Sequence, residues 1–260
     1  MAEPAIVRPL PARWRSPCLA PIIGRVKSTP AQIRQRFDAD VERFSDLEAG
    51  QTSTIDSRLV LDLVTRAAAA VTPGARRVLD VGCGAGNYSL KLLQLLPNLN
   101  ITLLDFSRPM LDRALVRVAT ATTGQVETVR FDVRDYDPGQ ARFDVILAAA
   151  VLHHLRGDDE WQAVFARLFA ALRPGGSLWI ADLIAHDTPG LQALMWARYG
   201  EYLAEQRDEA YRDKVFAYVE QEDTPRSLPY QLDLLRASGF GQVEVLHKNG
   251  VFAAFGGVKE

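Results

Sequence analysis

The stretch Val78-Leu79-Asp80-Val81-Gly82-Cys83-Gly84-Ala85-Gly86-Asn87 joins an apolar run that ends in an acid to a turn of alternating glycines. Residues 78–81 predict a short buried strand, and a helix is predicted over residues 87–96. Glycine adopts backbone angles closed to other residues and leaves no side chain between the chain and a ligand. The free amides of a helix N-terminus favour electron-rich groups. The turn therefore predicts a site where a cofactor touches the backbone, although an ordinary strand-to-helix turn has the same composition.

The spacing of the glycines separates two classes of cofactor turn. The dinucleotide fingerprint is G-x-G-x-x-G and would place a glycine at position 87, where this chain has Asn87. A second predicted strand, residues 101–105, ends in Asp105 about twenty residues after the turn, where nucleotide-binding folds place a carboxylate on the ribose hydroxyls. The alternative role for Asp105 is to cap a helix predicted over residues 108–120.

Three further stretches follow in order along the chain. A third predicted strand over residues 126–131 leads into Asp132, and the loop acid Asp135 is expected to be solvated because turn residues follow it. A fourth strand, residues 143–149, leads into Ala150-Val151-Leu152-His153-His154-Leu155. The turn Pro174-Gly175-Gly176 then ends a helix before a fifth apolar strand.

These five ordered stretches, spread over residues 76–184, resemble the motifs of class I S-adenosylmethionine-dependent methyltransferases. The resemblance implies an α/β fold with a Rossmann-like, mostly parallel sheet of seven strands in the order 3-2-1-4-5-7-6, the last strand antiparallel, and S-adenosyl-L-methionine as cofactor. It implies cofactor contacts from the acid and turn (Asp80, Gly82, Cys83, Gly84, Gly86), from the second motif (Asp105 on ribose, Phe106 and Met110 beside adenine) and from Asp132, on the adenine amino group, with Val133 and Ala149.

Composition limits the class of partner and compartment. The 260 residues carry a net charge of −2, which gives no general positive field for nucleic acid, and the sequence favours a small-molecule acceptor. The two cysteines, Cys18 and Cys83, suggest no disulfide framework, so a reducing cytoplasm is expected. No apolar run has the length of a membrane span.

Helical segments outside the cofactor fold are predicted to cover the acceptor. The proline- and arginine-rich residues 1–30 are predicted to form a flexible or wrapping arm, and residues 31–260 one methyltransferase domain with lid segments at 31–50 and 189–222. The aromatic residues expected to contact the acceptor are Phe37, Phe44, Trp196, Tyr199 and Tyr202. Plain core packing or a homodimer interface would explain the same aromatic density.

Methyl transfer is an in-line displacement, so the protein mainly aligns the acceptor and excludes water, and a base is needed only for some acceptors. Candidate bases are His153, His154 and His186, which follow strands four and five, whereas His247 is expected to be remote. No metal site is predicted, because His153-His154 is a sequential pair without a carboxylate at recognisable spacing.

Two other functions remain open. Phe37-Asp38 and the final strand-helix-hairpin are similar to carboxy-S-adenosylmethionine synthase, an enzyme that needs a cation for the added carboxylate; the chain offers Arg198, Arg207, Arg212 and Arg226. A catalytically silent partner subunit would keep the fold and lose cofactor contacts. The intact acids and glycines of the motifs argue against it.

Overall fold

The computed structural model describes residues 27–46 and 51–260. Within these ranges seven strands form one sheet in the order β3-β2-β1-β4-β5-β7-β6. The pairs β1–β2, β1–β4, β2–β3 and β4–β5 are parallel, and β7 runs antiparallel to both of its neighbours. The predicted sheet, its strand order and the direction of its last strand are confirmed.

Helices alternate with the strands along the chain. The strands are β1 (Arg77–Val81), β2 (Asn100–Asp105), β3 (Val126–Arg130), β4 (Phe143–Ala149), β5 (Leu172–Leu183), β6 (Gln242–Asn249) and β7 (Phe252–Val258). The helices are α1 (Pro30–Ala39), α2 (Val41–Ser45), α3 (Ser57–Val71), α4 (Asn87–Leu93), α5 (Arg108–Ala119), α6 (Asp158–Ala171), α7 (Pro189–Gln206), α8 (Glu209–Glu222) and α9 (Leu228–Ser238).

Two apolar cores lie on opposite faces of the sheet. On one face α3, α4 and α5 pack through residues such as Val64, Leu92 and Leu111. On the other face α6 and α9 pack through Trp161 and Leu235. Because both faces are covered, residues 78–81 of β1 are all buried. They are apolar apart from Asp80, which is a buried acid. The carboxyl ends of the parallel strands therefore form the open edge at which a ligand can bind.

Side-chain caps fix where two of the helices near the site begin. Thr29 and Gln32 form a capping box at the start of α1, with Pro30 in its first turn. The Ser107 hydroxyl accepts from the Met110 amide and caps α5. Since Ser107 is the cap, the Asp105 carboxylate is left for other contacts.

Several predicted boundaries differ from the structure. The helix predicted to reach residue 96 ends at Leu93, and a tighter turn follows in which the amides of Leu95 and Leu96 both donate to the Leu92 carbonyl. The predicted helix of lid segment 31–50 is two helices that break at Asp40, and the second ends where the Asn87 side chain donates to the Phe44 carbonyl.

Other expectations concern the ends of the chain and the lid. Of the predicted arm, residues 1–26 lie outside the described residues, as do positions 47–50 of the first lid segment. The segment 189–222 forms the helix pair α7 and α8. No helix in the described ranges combines the length and hydropathy needed to cross a membrane.

Candidate active site

A cavity lies at the carboxyl ends of the strands, beneath α1. It is bordered by the glycine turn, the ends of β2 and β3, the loop after β4 and two residues of α1. Its lining consists of Ile33, Phe37, Gly82, Leu104, Asp105, Phe106, Phe131, Asp132, Val133, Arg134, Ala150, Val151, His154 and Leu155. The sequence motifs that were far apart along the chain therefore meet at one cavity.

The glycine turn combines one tight position with one open position. Gly82 has φ +64°, and a Cβ there would lie 2.7 Å from the Val151 side chain. Gly84 has φ +50°, and the space where its Cβ would lie is open. The Gly84 amide donates to the Asp105 carboxylate at 2.9 Å, and the Ser107 amide donates to the other oxygen at 2.9 Å. The turn is thus fixed by Asp105 while its backbone stays accessible.

Two buried carboxyl groups lie at this end of the sheet. Burial raises the pKa of Asp80 to about 6, opposed by a hydrogen bond from the Ser89 hydroxyl at 2.6 Å. Burial also raises the pKa of Asp105 to about 6, opposed by backbone amides that include those of Ser107 and Gly84. Removal from water disfavours the charged form of each acid. A cationic ligand would favour the ionised forms.

Asp132 lies on the cavity wall in an ion pair with Arg134. The guanidinium donates to its two oxygens at 2.8 and 2.5 Å, and the Arg134 amide donates at 3.0 Å. Burial alone would raise the pKa of Asp132, but the bonds and charge of Arg134 lower it below its ordinary value. The carboxylate is therefore ionised at neutral pH and already paired.

Two of the candidate bases lie in a buried cluster with acids from elsewhere in the chain. A one-turn 3-10 helix, Leu152–His154, follows β4 and carries both histidines. His153 Nδ1 contacts the Asp182 carboxylate, which also accepts from the amides of Leu152 and His153 at 2.9 and 3.1 Å. Asp223 Oδ1 lies 3.1 Å from His154 Nδ1 and 3.7 Å from His153 Nε2.

The protonation of this histidine pair is set by burial and by the acids. Burial lowers the pKa of His153, but the charges of Asp182 and Asp223 outweigh it and raise that pKa to about 9. Burial lowers the pKa of His154, and the neighbouring His153 lowers it further. The cluster consequently holds a proton on His153 and leaves His154 neutral.

Comparison with known proteins agrees with this geometry. Residues 79–178 match the model of a methyltransferase domain family. A methyltransferase of Mycobacterium tuberculosis strain H37Rv, itself uncharacterised, is 31% identical over 128 residues, which are 49% of this chain and 59% of the relative. Trans-aconitate 2-methyltransferase of Acidovorax sp. strain JS42 is 32% identical over 163 residues, 63% of this chain and 57% of the relative. The matched residues span less than two thirds of either relative.

A solved structure extends the likeness to the whole sheet. The 1,6-didemethyltoxoflavin-N1-methyltransferase of Burkholderia thailandensis, with bound S-adenosylhomocysteine, is 20% identical with a TM-score of 0.57. The match covers 91% of this chain and 93% of that one, and at this identity it shows the fold. The chain contains a class I methyltransferase domain. The cofactor of this family is S-adenosylmethionine.

The residues of the methyltransferase domain fit that cofactor. Asp105, which the resemblance assigns to the ribose, lies on the cavity wall between apolar neighbours that include Phe106 and Val133. The open Gly84 position leaves room against the backbone. The ionised Asp80 suits a positively charged group of the cofactor, and the ionised Asp105 can accept hydrogen bonds from the ribose hydroxyls.

The predicted cofactor residues of the methyltransferase domain divide into two groups. The cavity lining includes Gly82, Asp105, Phe106, Asp132 and Val133. The others are not among the residues that line it: Asp80, Cys83, Gly84, Gly86, Met110 and Ala149. Met110, for example, is 1% exposed in the core beneath α5, so it has a packing role in the structure as described.

The predicted lid aromatics also divide. Phe37 of α1 lies on the cavity, with its ring 5.9 Å from His154, 6.0 Å from Phe106 and 5.5 Å from Phe44. Trp196 and Tyr199 pack in a separate apolar cluster with α8. Tyr199 and Tyr202 donate to the carbonyls of Ser53 and Thr52 at 2.8 and 3.0 Å. These three aromatics hold the lid together beside the cavity.

Four basic residues considered for a carboxylated cofactor lie outside the described cavity lining. Arg212 pairs with Asp213, Arg226 pairs with Asp158, and Arg207 covers the Tyr211 ring. Arg198 is also not among the residues that line it. The third candidate base, His186, lies apart from the other two, where its amide donates to Gln192 and its Nε2 is 3.3 Å from Lys248 Nζ.

The sequence did not single out the acids at the end of α8. Glu222 is fully buried and paired with Arg36 of α1, and Arg156 donates to the Glu222 carbonyl and to Thr224. Lys27 Nζ donates to the carbonyl of Asp223 at 2.7 Å. The run Glu220-Gln221-Glu222-Asp223 was the available signal, because acids at a helix C-terminus are unfavourable unless basic groups neutralise them.

Proposed function

We propose that this protein transfers the methyl group of S-adenosylmethionine to a small organic acceptor that approaches the cavity beside His154. The observation that carries the proposal is the Asp105 carboxylate, which is held by the Gly84 and Ser107 amides on the wall of a cavity at the sheet edge. The cofactor, when bound, supplies a methyl group already activated by its sulfonium.

The chain's own residues supply alignment and exclusion of water. Ile33 and Phe37 of α1 cover the cavity, and Val151 and Leu155 form an apolar wall on the other side. A displacement at carbon gains rate when the reacting groups are held in line and water is kept away. The likeness to an enzyme named for trans-aconitate supports a small acceptor.

His154 marks the side from which the acceptor approaches. Its ring borders the cavity, while its Nδ1 faces Asp223 at the end of the lid helix α8. Polar groups are otherwise sparse on the apolar wall that Val151 and Leu155 form. A polar acceptor group would therefore find its partners at this histidine and in the cluster behind it.

Calorimetric titration with S-adenosylmethionine and S-adenosylhomocysteine tests the proposal. We expect Asp105→Ala to lose at least tenfold in affinity, equivalent to about 1.4 kcal/mol, because the ribose contacts are removed. Asp112→Ala is the matched control, since Asp112 lies on the same helix-strand unit but pairs with Arg108 at the exposed surface. Failure of the unmodified protein to bind either compound would refute the proposal.

A further inference from the structure

The cluster behind the cavity brings three metal-ligating side chains to one point. His153, His154 and Asp223 each offer one ligand atom, and the three atoms lie within 4.8 Å of one another. Zinc binds imidazole nitrogen at about 2.0–2.1 Å, so neighbouring ligands of a tetrahedral ion are about 3.3 Å apart. The distances of 3.1 and 3.7 Å from Asp223 Oδ1 to the two imidazoles lie on either side of that spacing.

The ligand atoms are buried, and several of them have no hydrogen-bond partner. The side chains of His153 and Asp223 are 9% and 2% exposed. Among the residues that the structure describes, both ring nitrogens of His154 and Oδ1 of Asp223 have no hydrogen-bond partner. Unpaired polar atoms are costly in a protein interior, and an ion between them would remove that cost.

A second carboxylate orients the first ligand. Asp182 contacts Nδ1 of His153 and is itself fixed by the amides of Leu152 and His153. This leaves Nε2 of His153 directed toward Asp223, and an ion bound there would displace the extra proton of His153 into solvent. Metal-bound histidines generally donate their second ring N–H to a carboxylate or carbonyl in this way, which fixes the tautomer and raises the basicity of the ligand.

We propose that His153, His154 and Asp223 bind one divalent transition-metal ion, with Asp182 as the carboxylate that positions His153. Two imidazoles and one carboxylate are a donor set used by zinc and by other divalent metals, and they leave coordination positions open. The Arg156 and Lys27 side chains donate to the carbonyl oxygens of Glu222 and Asp223, and these bonds hold the end of the lid helix beside the cluster.

The position of the site gives the ion a role, which rests on the proposed methyl transfer. His154 borders the cavity as well as the cluster. An oxygen of the acceptor bound at an open position would be oriented toward the cavity, and the pKa of an acceptor hydroxyl would fall. The ion would thus both select an oxygen-bearing acceptor and prepare it.

Titration of the chelator-treated protein with ZnCl2, followed by calorimetry, tests the site. We expect one Zn²⁺ per chain in the unmodified protein. Asp223→Asn and His154→Ala should each lose at least tenfold in affinity, and Asp182→Asn about tenfold, as is usual for a carboxylate behind a ligand. His247→Ala is the control that keeps Zn²⁺ binding, because His247 lies with Asp56 outside the cluster. Cobalt(II) substitution should give visible absorption bands that the Asp223→Asn protein lacks.

Several results would overturn the metal site. These are a stoichiometry of zero in the unmodified protein, or affinities in Asp223→Asn and His154→Ala equal to that of the His247→Ala control. Thermal midpoints of all variants, measured without metal, identify any variant that fails to fold, and His154→Gln then replaces His154→Ala. Binding of S-adenosylmethionine without Zn²⁺ binding would refute the metal site and leave the proposed methyl transfer standing.

Discussion

The cofactor end of the sheet and the lid over it are built from contacts of very different sequence separation. At the cofactor end, Ser89 bonds to Asp80 nine residues away, and Gly84 bonds to Asp105 over 21 residues. In the lid, Lys27 bonds to the carbonyl of Glu220 over 193 residues, and Arg156 bonds to the Ser28 carbonyl over 128. Short motifs thus specify the cofactor end, whereas the lid exists only once the whole domain has folded.

The largest effect is expected at the tight position of the glycine turn. Gly82→Ala places a methyl group 2.7 Å from Val151 at φ +64°, which should cost about 3 kcal/mol of unfolding free energy from backbone strain and overpacking. The matched Gly84→Ala has positive φ but open space, so only the backbone cost of about 1 kcal/mol is expected. Urea denaturation measures both. Equal losses of unfolding free energy in the two variants would show that the close approach of Gly82 to Val151 does not constrain the turn.

The next largest effect is expected in the lid, where residues far apart in the sequence are in contact. Arg36→Ala leaves the buried Glu222 without its ion-pair partner, and about 2 kcal/mol of stability should be lost. The exposed Arg34 on the same helix gives the control Arg34→Ala, with little change expected. A double mutant that adds Glu222→Gln should recover part of the loss. If Arg36→Ala and Arg34→Ala unfold at the same urea concentration, the lid is not held by this pair.

A smaller effect is expected from pH. The pKa values of Asp80 and Asp105 are raised to about 6, so in the free protein both are largely protonated at pH 5 and ionised at pH 7.5. A cationic cofactor binds the ionised forms, so its affinity should rise with pH and level off above pH 7. The gain is about tenfold for each carboxylate that must ionise. Calorimetry at the two pH values measures it, and an affinity independent of pH would show that neither carboxyl group ionises when the cofactor binds.

The same two acids affect folding in the opposite direction. Their pKa values in the folded protein lie above the ordinary value, so their contribution to stability is present at low pH and is lost as pH rises through about 6. Asp80→Asn should remove the part due to Asp80 from both the binding and the stability profiles. A rise in pH through about 6 therefore increases the affinity for the cofactor and decreases the stability of the free protein.

The smallest effect concerns a single lid hydrogen bond. Tyr202→Phe removes the bond to the Thr52 carbonyl and should cost about 0.5–1 kcal/mol. Tyr211→Phe keeps the ring that lies beneath Arg207, so its stability should be nearly unchanged. Thermal unfolding of the two variants separates them. A Tyr202→Phe midpoint equal to that of Tyr211→Phe would mean that the lid does not depend on this contact.

The different sequence separation of contacts at the cofactor end and in the lid also explains what the sequence could predict. Asp80, Gly82 and Asp105 stand at the ends of apolar strands, and parallel strands bring their carboxyl ends together, so their meeting at one edge follows from local pattern. Asp223 lies 70 residues after His153 at the end of a lid helix, and its position depends on contacts with Lys27, Arg36 and Arg156. Local periodicity carries no information about such a contact, so the histidine pair was expected to stand without a carboxylate.

Helix boundaries show the same limit on a smaller scale. The helix α4 ends at Leu93 in a turn in which the Leu95 amide donates to the Leu92 carbonyl, and apolar spacing along the sequence does not distinguish such a turn from a continuing helix. The second helix ends at Ser45, where the Asn87 side chain donates to the Phe44 carbonyl, a tertiary contact that helical periodicity in the sequence does not show.

The place of β7 in the sheet has a consequence for how the chain matures. β7 is inserted between β5 and β6 and pairs with β5 along residues 177–183, where Gly256 lies so close to the Leu178 carbonyl that a side chain would collide with it. During synthesis one edge of β5 therefore stays unpaired until residues 252–258 leave the ribosome. Edge strands of this length attract other chains, so the edge of β5 is protected only once residues 252–258 are in place.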